Sequence, residues 1–194
     1  MTARTHDLAA ITMLGVAAIF VPLAGLNLAT ALVAILANQI GGIAPDIDQP
    51  TAPFWRNLPV GGFFGRFIDK LLGGHRFLSH SLVGMALFAF LSHLLLQVLH
   101  PIMPHVDAQL VWYAFLIGLV SHLLMDSLTK EGVPWLLPLP FKFGFPPLRA
   151  LRVTTGKHIE AFLIFPGLIL LDIWLCASHY STLAAFIRDH LARR

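Results

Sequence analysis

The sequence has little charge and almost no cysteine. Only 12% of its 194 residues are charged, whereas soluble domains carry about 25%, so the chain cannot give a water-soluble fold of this size a polar surface. Cys176 is the one cysteine, which excludes an intramolecular disulfide and a cysteine-rich zinc motif. The formal net charge of +3 is too small to indicate a nucleic-acid partner.

Apolar residues, by contrast, are abundant. They make up 57% of the chain and give it a mean hydropathy of +0.76, whereas soluble proteins have about 45–50% apolar residues. We therefore expect an integral membrane protein surrounded by membrane lipids. Residues 1–194 are expected to form a single all-α helical bundle with about five membrane helices and some interfacial segments.

Five apolar stretches could form these helices, namely Leu8–Val21, Leu26–Ile43, His80–Leu99, Leu110–Leu128 and Ile159–Ala177. A spanning helix needs about 20 residues, so the second to fifth stretches are long enough and the first is short. The first either crosses with little tilt, lies partly in the interface, or forms half of a tight hairpin with the second through Pro22–Gly25. It also has the pattern of a signal peptide. We favour the membrane helix, because cleavage would remove His6, to which a role is assigned below.

The basic residues favour one orientation in the membrane. If all five stretches cross, ten of the 13 Lys and Arg residues fall on one side, and the other three lie in the C-terminal tail. The positive-inside rule assigns the side with ten to the cytoplasm of a multi-pass inner-membrane protein. These ten are Arg4, Arg56, Arg66, Lys70, Arg76, Lys130, Lys142, Arg149, Arg152 and Lys157.

Two segments between the apolar stretches differ from simple loops. Residues 49–74 mix aromatic side chains with Arg56, Arg66 and Lys70, a composition typical of a segment in the lipid headgroup layer. Residues 133–157 begin with an apolar run in which five prolines forbid a regular helix. We predict that this second segment is a lid or re-entrant loop at the membrane surface.

Histidines and carboxylates gather at the ends of the apolar stretches. In chain order they are His6, Asp46, Asp48, His75, His80, His122, Asp126 and Glu160. In the orientation given by the basic residues, all of these ends face the cytoplasm. Because ionisable groups in or near a bilayer are costly, their concentration on one side indicates a functional site.

Metal binding is the chemistry that needs such a set. Histidine nitrogens and carboxylate oxygens ligate zinc and related divalent ions. His122 and Asp126 are four residues apart, so they reach one point from one helix face. Because the ligands exceed what one tetrahedral zinc requires, we expect two zinc ions about 3.5–4 Å apart, with Mn, Fe or Mg as alternatives. Such a pair lowers the pKa of water to about 7 and supplies a hydroxide nucleophile.

Three sequence blocks carry a resemblance to a known family. They are Pro-Asp-Ile-Asp at Pro45–Asp48, His-Arg-Phe-Leu-Ser-His-Ser at His75–Ser81, and His-x-x-x-Asp at His122–Asp126. Together they resemble the YdjM-like family of bacterial inner-membrane proteins, described as metal-dependent hydrolases. The resemblance extends to about Phe162 and departs from the family pattern at Phe77 and Ser79, where Gly and Thr are expected. By analogy, the pattern is also distantly similar to the zinc phospholipase C and P1 nuclease group.

The resemblance and the ligand set together imply a metal-dependent hydrolase, and we expect its substrate to be a phosphoester. The expected catalytic residues are Arg76, Asp48 and Asp126, with Arg76 contacting the phosphate. Further cations form a candidate substrate-binding rim for a phospholipid or lipid-phosphate headgroup. This cationic rim comprises Lys130, Arg149, Arg152 and Lys157.

Two alternatives use the same residues. A structural metal would make the protein a non-enzymatic membrane scaffold or regulator, and such a site would be closed, whereas a catalytic site keeps an open coordination position. A metal or proton transporter would carry its ionisable groups near the bilayer midplane. In this sequence they lie at the predicted helix ends, and the sequence has no inverted repeat, so the transporter is the least favoured class.

Overall fold

The computed structural model describes residues 1–20, 26–139 and 141–191. Within these ranges the chain is an all-α bundle, and β structure is limited to the isolated bridges Thr129–Val153 and Val133–Phe143. The helices are α1 (Ala3–Phe20), α2 (Leu28–Ile43), α3 (Pro53–Arg56), α4 (Gly61–Leu71), α5 (Leu82–Leu99), α6 (Ala108–Ser127), α7 (Phe165–Ser178) and α8 (Tyr180–Leu191). The predicted fold class is therefore confirmed.

In the described part of the chain, four helical segments are long and apolar enough to cross a membrane. They are Leu28–Asp48, Leu82–Ile102, Ala108–Ser127 and Glu160–Ser178, which correspond to the second to fifth apolar stretches. The first stretch is helical as α1, which begins at Ala3 rather than Leu8 and is not one of the four. Its predicted end at Val21 and the hairpin through Pro22–Gly25 lie outside the described residues.

Helix α6 is the centre of the bundle. It packs against α1, α2 and α5 and buries side chains around much of its circumference, including Val111, Phe115 and Leu119. Helices α5 and α7 instead expose many large apolar side chains, which suits contact with lipid chains. The last turns of α6 therefore lie where segments from several other helices can reach them.

Small residues let the backbones of α2 and α6 touch. A Cβ atom added to Gly118 would lie 2.0 Å from the carbonyl oxygen of Asn38, and one added to Gly41 would lie 2.1 Å from that of Phe115. Asn38 is fully buried, and its side-chain amide donates to the Ala114 carbonyl oxygen across the contact. Close approach through small residues, with polar groups bonding across it, is the usual mode of helix packing in membranes.

The end of α2 tightens into a 3₁₀ turn, Ala44–Asp48. Pro45 occupies its first turn, where the missing N–H would have had no helical partner. Asp48 is buried in this turn, whereas Asp46 is 22% exposed. Because the turn packs against α6, it carries both carboxylates to the end of the central helix.

The segment predicted to lie in the headgroup layer, residues 49–74, forms α3 and α4. Helix α4 buries Gly61 and Gly65 and exposes Phe63, Phe64 and Phe67. A helix with exposed apolar side chains beside basic ones suits the membrane interface. Its placement in the headgroup layer stays a prediction.

Residues 133–157 form an irregular loop that packs across the ends of α5 and α6. The Leu82 N–H donates to the Trp135 carbonyl oxygen, and the Phe145 N–H donates to the Ser127 carbonyl oxygen. Among its described residues the loop contains no α-helix, in keeping with its prolines, and Pro140 lies outside the described residues. Its role as a lid stays a prediction.

The α2–α6 contact predicts that one methyl group added at Gly118 destabilises the protein. Gly118→Ala would force the two backbones apart, and overpacking of this kind destabilises by about 1–3 kcal/mol. We expect a lower thermal unfolding temperature in detergent. Gly167→Ala in α7 is the matched control, because a Cβ atom there meets nothing within 4 Å. Equal unfolding temperatures for the two variants would contradict the close contact.

Candidate metal centre

The structure brings seven of the eight predicted ligands together at one end of the bundle. His6 comes from α1, Asp46 and Asp48 from the turn after α2, His75 and His80 from the segment before α5, and His122 and Asp126 from α6. His6, Asp48, His80, His122 and Asp126 are buried. The fit of a metal to this group is judged from the donor atoms themselves.

Four donor atoms surround one point. His80 Nε2 lies 3.8 Å from Asp46 Oδ1 and 3.5 Å from Asp126 Oδ2, and His122 Nε2 lies 3.6 Å and 3.8 Å from the same two oxygens. Ligands about 2.0–2.1 Å from a tetrahedral zinc would be roughly 3.4 Å apart. Each histidine nitrogen therefore lies close to a zinc ligand–ligand distance from both carboxylate oxygens.

Two of these donor atoms have no other use. The Nε2 atoms of His80 and His122 are buried and make no hydrogen bond in the described residues. Buried polar atoms are nearly always paired, and leaving one unpaired costs about 1–3 kcal/mol. Two such nitrogens that face the same carboxylates fit a site built for a cation.

A backbone carbonyl fixes the tautomer of His122. Its Nδ1 lies 2.6 Å from the Gly42 carbonyl oxygen. Because a carbonyl oxygen only accepts, Nδ1 carries the proton and Nε2 keeps a free lone pair, as a metal ligand must. The glycine contacts between α2 and α6 allow this approach, so the packing of the helices prepares the ligand.

Asp48 holds the segment that carries the other two histidines. Its carboxylate oxygens accept from His75 Nδ1 at 2.8 Å, from the Arg76 backbone N–H at 3.0 Å, and from the Ser79 hydroxyl. Ser79 Oγ in turn lies 2.9 Å from Nδ1 of His80. Carboxylates that bond to ligand histidines orient them toward the metal. This geometry fits an orienting role, while direct ligation by Asp48 stays a prediction.

The two carboxylate oxygens of Asp126 face different candidate ligands. While Oδ2 faces His80 and His122, Oδ1 lies 3.2 Å from His6 Nε2. The imidazole of His6 stacks on that of His122 at 3.8 Å. The Met1 amino group donates to Asp126 Oδ1 and lies 3.0 Å from His6 Nε2, so a positively charged nitrogen sits between these ligands.

The donors fall into three overlapping groups that could each hold a metal ion. These groups are His6 with His122 and Asp126, Asp46 with His80 and His122, and Asp46 with Asp48 and His75. His122 and Asp46 each belong to two of them. An arrangement of shared ligands suits adjacent ions better than a single isolated one.

The electrostatics of the pocket favour positive charge. Burial alone would lower the pKa of His80, but the carboxylates of Asp126 and Asp48 outweigh it and raise that pKa above its usual value. The same carboxylates would attract a divalent cation.

Arg76 lies inside the site rather than at its entrance. Its side chain is 8% exposed and pairs with Asp126 Oδ2 at 2.7 Å and Glu131 Oε2 at 3.0 Å. Its backbone has φ of 60°, a left-handed conformation in which its N–H reaches Asp48. Glu131 carries no sequence signal that would have marked it, since it lies outside every apolar stretch and motif.

Glu160 lies outside the three ligand groups. Its carboxylate accepts hydrogen bonds from the Thr2 N–H and hydroxyl, the Thr5 hydroxyl and the Gly156 N–H, all at 2.7–2.8 Å. It therefore ties the start of α1, and with it His6, to the start of the last span. No other candidate ligand in the described part of the chain is grouped with Glu160, and its predicted role as a direct ligand stays a prediction.

The four cations of the predicted rim differ in their surroundings. Arg152 donates to the carbonyl oxygens of Pro146 and Pro147 and so holds the loop. Arg149 donates to the Lys130 carbonyl oxygen and is exposed. Lys130 and Lys157 are exposed. Contact of these residues with a substrate stays a prediction.

The orienting role of Asp48 predicts a specific loss of metal affinity. Asp48→Asn keeps the side-chain shape but removes one acceptor oxygen, and loss of such a partner lowers metal affinity about 10–100-fold. The affinity can be measured by competition with a chelator, with helical content checked by circular dichroism. Asp69→Asn in α4 is the control with the same chemical change. Unaltered metal affinity in Asp48→Asn would contradict the role.

Comparison with known proteins places the chain in a family. The family described as YdjM inner membrane protein matches residues 1–188. Inner membrane protein YdjM of Escherichia coli (strain K12) is 31% identical over 136 residues, which cover 69% of this chain and 61% of that protein, and the Shigella flexneri protein of the same name gives the same values. The chain thus spans about three fifths of these two relatives.

A further relative matches this chain over more of the relative's own length. Uncharacterized protein YvsG of Bacillus subtilis (strain 168) is 24% identical over 170 residues, which cover 88% of this chain and 91% of that protein. No solved structure matches the chain. The family and the four apolar helices assign the protein to the inner membrane. The chain belongs to the YdjM inner membrane protein family.

Proposed function

We propose that this protein is a hydrolase that uses two divalent metal ions, most readily zinc, to cleave a phosphoester at the cytoplasmic face of the membrane. The observation that carries the proposal is the convergence of His80 Nε2 and His122 Nε2 on oxygens of Asp46 and Asp126. Both nitrogens are buried, and neither makes a hydrogen bond with any residue that the structure describes. These are ligand types that hold zinc in proteins, and the ligands shared among the three donor groups support two adjacent ions.

The accessibility of the site favours catalysis over a structural metal. Asp46 is 22% exposed and His75 is 33% exposed, whereas the other histidines and carboxylates of the centre are buried. One side of the ligand set is therefore open to water and substrate. A structural site would be closed by protein on all sides.

The residues of the chain have distinct roles in this proposal. When bound, the metal ions supply Lewis acidity and lower the pKa of a water molecule to about 7. His80, His122, Asp46 and Asp126 hold the ions, Asp48 orients the histidines that precede α5, and Arg76 provides N–H donors for the phosphoryl oxygens.

The substrate class follows from the position of the centre. The candidate ligands lie near the ends of spanning segments, which supports a reaction near the level of the lipid headgroups. Exposed Lys130, Arg149 and Lys157 add positive charge there, and exposed Phe77 and Leu82 add apolar surface. A phospholipid or another lipid phosphate combines the complementary features, a phosphate and an acyl chain. The excess of basic residues on this side favours the cytoplasmic face.

The proposal predicts a metal-bound enzyme whose activity depends on His122. We expect elemental analysis of detergent-purified protein to give about two divalent ions per chain. His122→Ala should lose metal and hydrolysis of a panel of lipid and soluble phosphoesters. His93→Ala in α5 is the matched control, because His93 is exposed and contacts Gln97 and Trp112 instead of the centre.

Two results would contradict the proposal in different ways. Wild-type protein that binds no divalent metal would remove both the metal centre and the reaction. Protein that binds metal through His122 but hydrolyses no member of the panel would favour the non-enzymatic scaffold with a structural metal.

A further inference from the structure

One surface carboxylate reaches into the centre. Glu131 is 59% exposed, yet its Oε2 lies 3.0 Å from an NH1 nitrogen that belongs to Arg76, a side chain with only 8% exposure. Among the described residues, the other charged group paired with Arg76 is Asp126, which is fully buried among the metal ligands. Arg76 therefore connects the ligand set to the outside, and Glu131 covers its outer end.

The guanidinium group has enough other contacts to stay in place without Glu131. Its NH2 pairs with Asp126 Oδ2 at 2.7 Å, and its NH1 also donates to Thr129 Oγ1 at 3.3 Å. The backbone of Arg76 is fixed as well, because its N–H donates to Asp48. If the Glu131 carboxylate leaves, a positioned N–H donor remains beside the metal ligands.

Glu131 can leave by a change of side-chain rotamer. The backbone on each side of it is held, since the Lys130 N–H donates to the Val153 carbonyl oxygen and the Gly132 N–H donates to that of Thr129. No movement of the loop is needed to free the arginine. Because Glu131 is mostly exposed, water screens its side of the ion pair, so a competing anion can replace the carboxylate.

We propose that Arg76 is the anchor of an oxyanion subsite beside the metal centre, and that Glu131 occupies this subsite until a phosphate group displaces it. The Glu131 carboxylate is itself an anion with two oxygens, so its position marks where the oxygen of another anion can bind. Arginine forms such pairs with carboxylates and phosphates through the same N–H fork. Glu131 is then a specificity-determining residue, because neutral ligands gain nothing by displacing it.

This inference rests on the proposed function, in that the phosphate is the group of the ester to be cleaved. It can be tested without catalysis, by binding alone. If the protein binds phosphate but hydrolyses no ester, the proposed reaction fails and the proposed subsite stands. If the protein does not bind phosphate, the subsite fails and the metal centre is unaffected.

The test compares wild-type protein with Glu131→Gln, which keeps the side-chain size and removes the charge. Binding of inorganic phosphate to metal-loaded protein is measured by calorimetry in detergent. We expect Glu131→Gln to bind phosphate about two- to fivefold more tightly, as expected for release of one partly exposed ion pair. Metal content should be unchanged, because Glu131 belongs to none of the ligand groups.

The control variant separates the subsite from a general effect of charge. Asp189→Asn makes the same change in charge at an exposed position in α8, at the end of the chain remote from the centre. We expect wild-type phosphate affinity from it. Equal gains in both variants, or no gain in Glu131→Gln, would overturn the proposal. Adding Arg76→Gln to Glu131→Gln should abolish the gain, and a gain that persists without the guanidinium would also overturn it.

A second arm identifies the source of the phosphate. The same variants are placed in nanodiscs of phosphatidylcholine, with or without phosphatidic acid, and phosphate binding is repeated. Competition by phosphatidic acid that is stronger in Glu131→Gln than in wild type supports a lipid headgroup as the natural anion. Equal phosphate binding in both nanodiscs, with the gain from Glu131→Gln retained, supports the subsite with a soluble phosphate as its ligand. Loss of the gain in nanodiscs free of phosphatidic acid would overturn it.

Discussion

The contact between the backbones of α2 and α6 is the constraint on which the centre depends. Glycine at positions 41 and 118 lets the two helices touch, and this brings the Gly42 carbonyl oxygen to 2.6 Å from Nδ1 of His122. That one hydrogen bond leaves Nε2 of the imidazole free as a ligand. The same approach carries the turn with Asp46 and Asp48 to the end of α6. Helix packing and ligand geometry are thus consequences of one interface.

The polar groups of the site divide by whether their hydrogen bonds are satisfied. Asp48 and Glu160 are buried, and each accepts at least three hydrogen bonds from nearby donors. Within the described ranges, His80 and His122 leave Nε2 unpaired in an apolar bundle, at a cost of about 1–3 kcal/mol each. A ligand that binds only the folded state recovers such a cost. This contrast separates groups whose hydrogen bonds hold the helices in place from nitrogens that are free to bind a cation.

The sequence predicts the spans and the gathering of seven of the eight candidate ligands at one end of the bundle, because both follow from where the apolar stretches begin and end. Apolar length identifies the four spanning segments, and the interval between His122 and Asp126 puts both on one face. Other features depend on how separate segments meet. The role of Glu160 depends on Thr2 and Thr5 at the far end of the chain, and Glu131 reaches Arg76 only through the fold. The hydrogen bond between His122 and the Gly42 carbonyl oxygen also depends on the fold, because every residue has a backbone carbonyl and the sequence does not show which one will accept.

The bond between Glu160 and Thr5 joins residues 155 positions apart. A chain is synthesised from its N-terminus, so α1 is made long before the residue that fixes it. The hydrogen bonds that fix the start of α1 can form only after the start of the last spanning segment has been made. The contact between α2 and α6 needs no residue of that last segment. The arrangement around His6 is therefore completed later in biogenesis than the arrangement around His122.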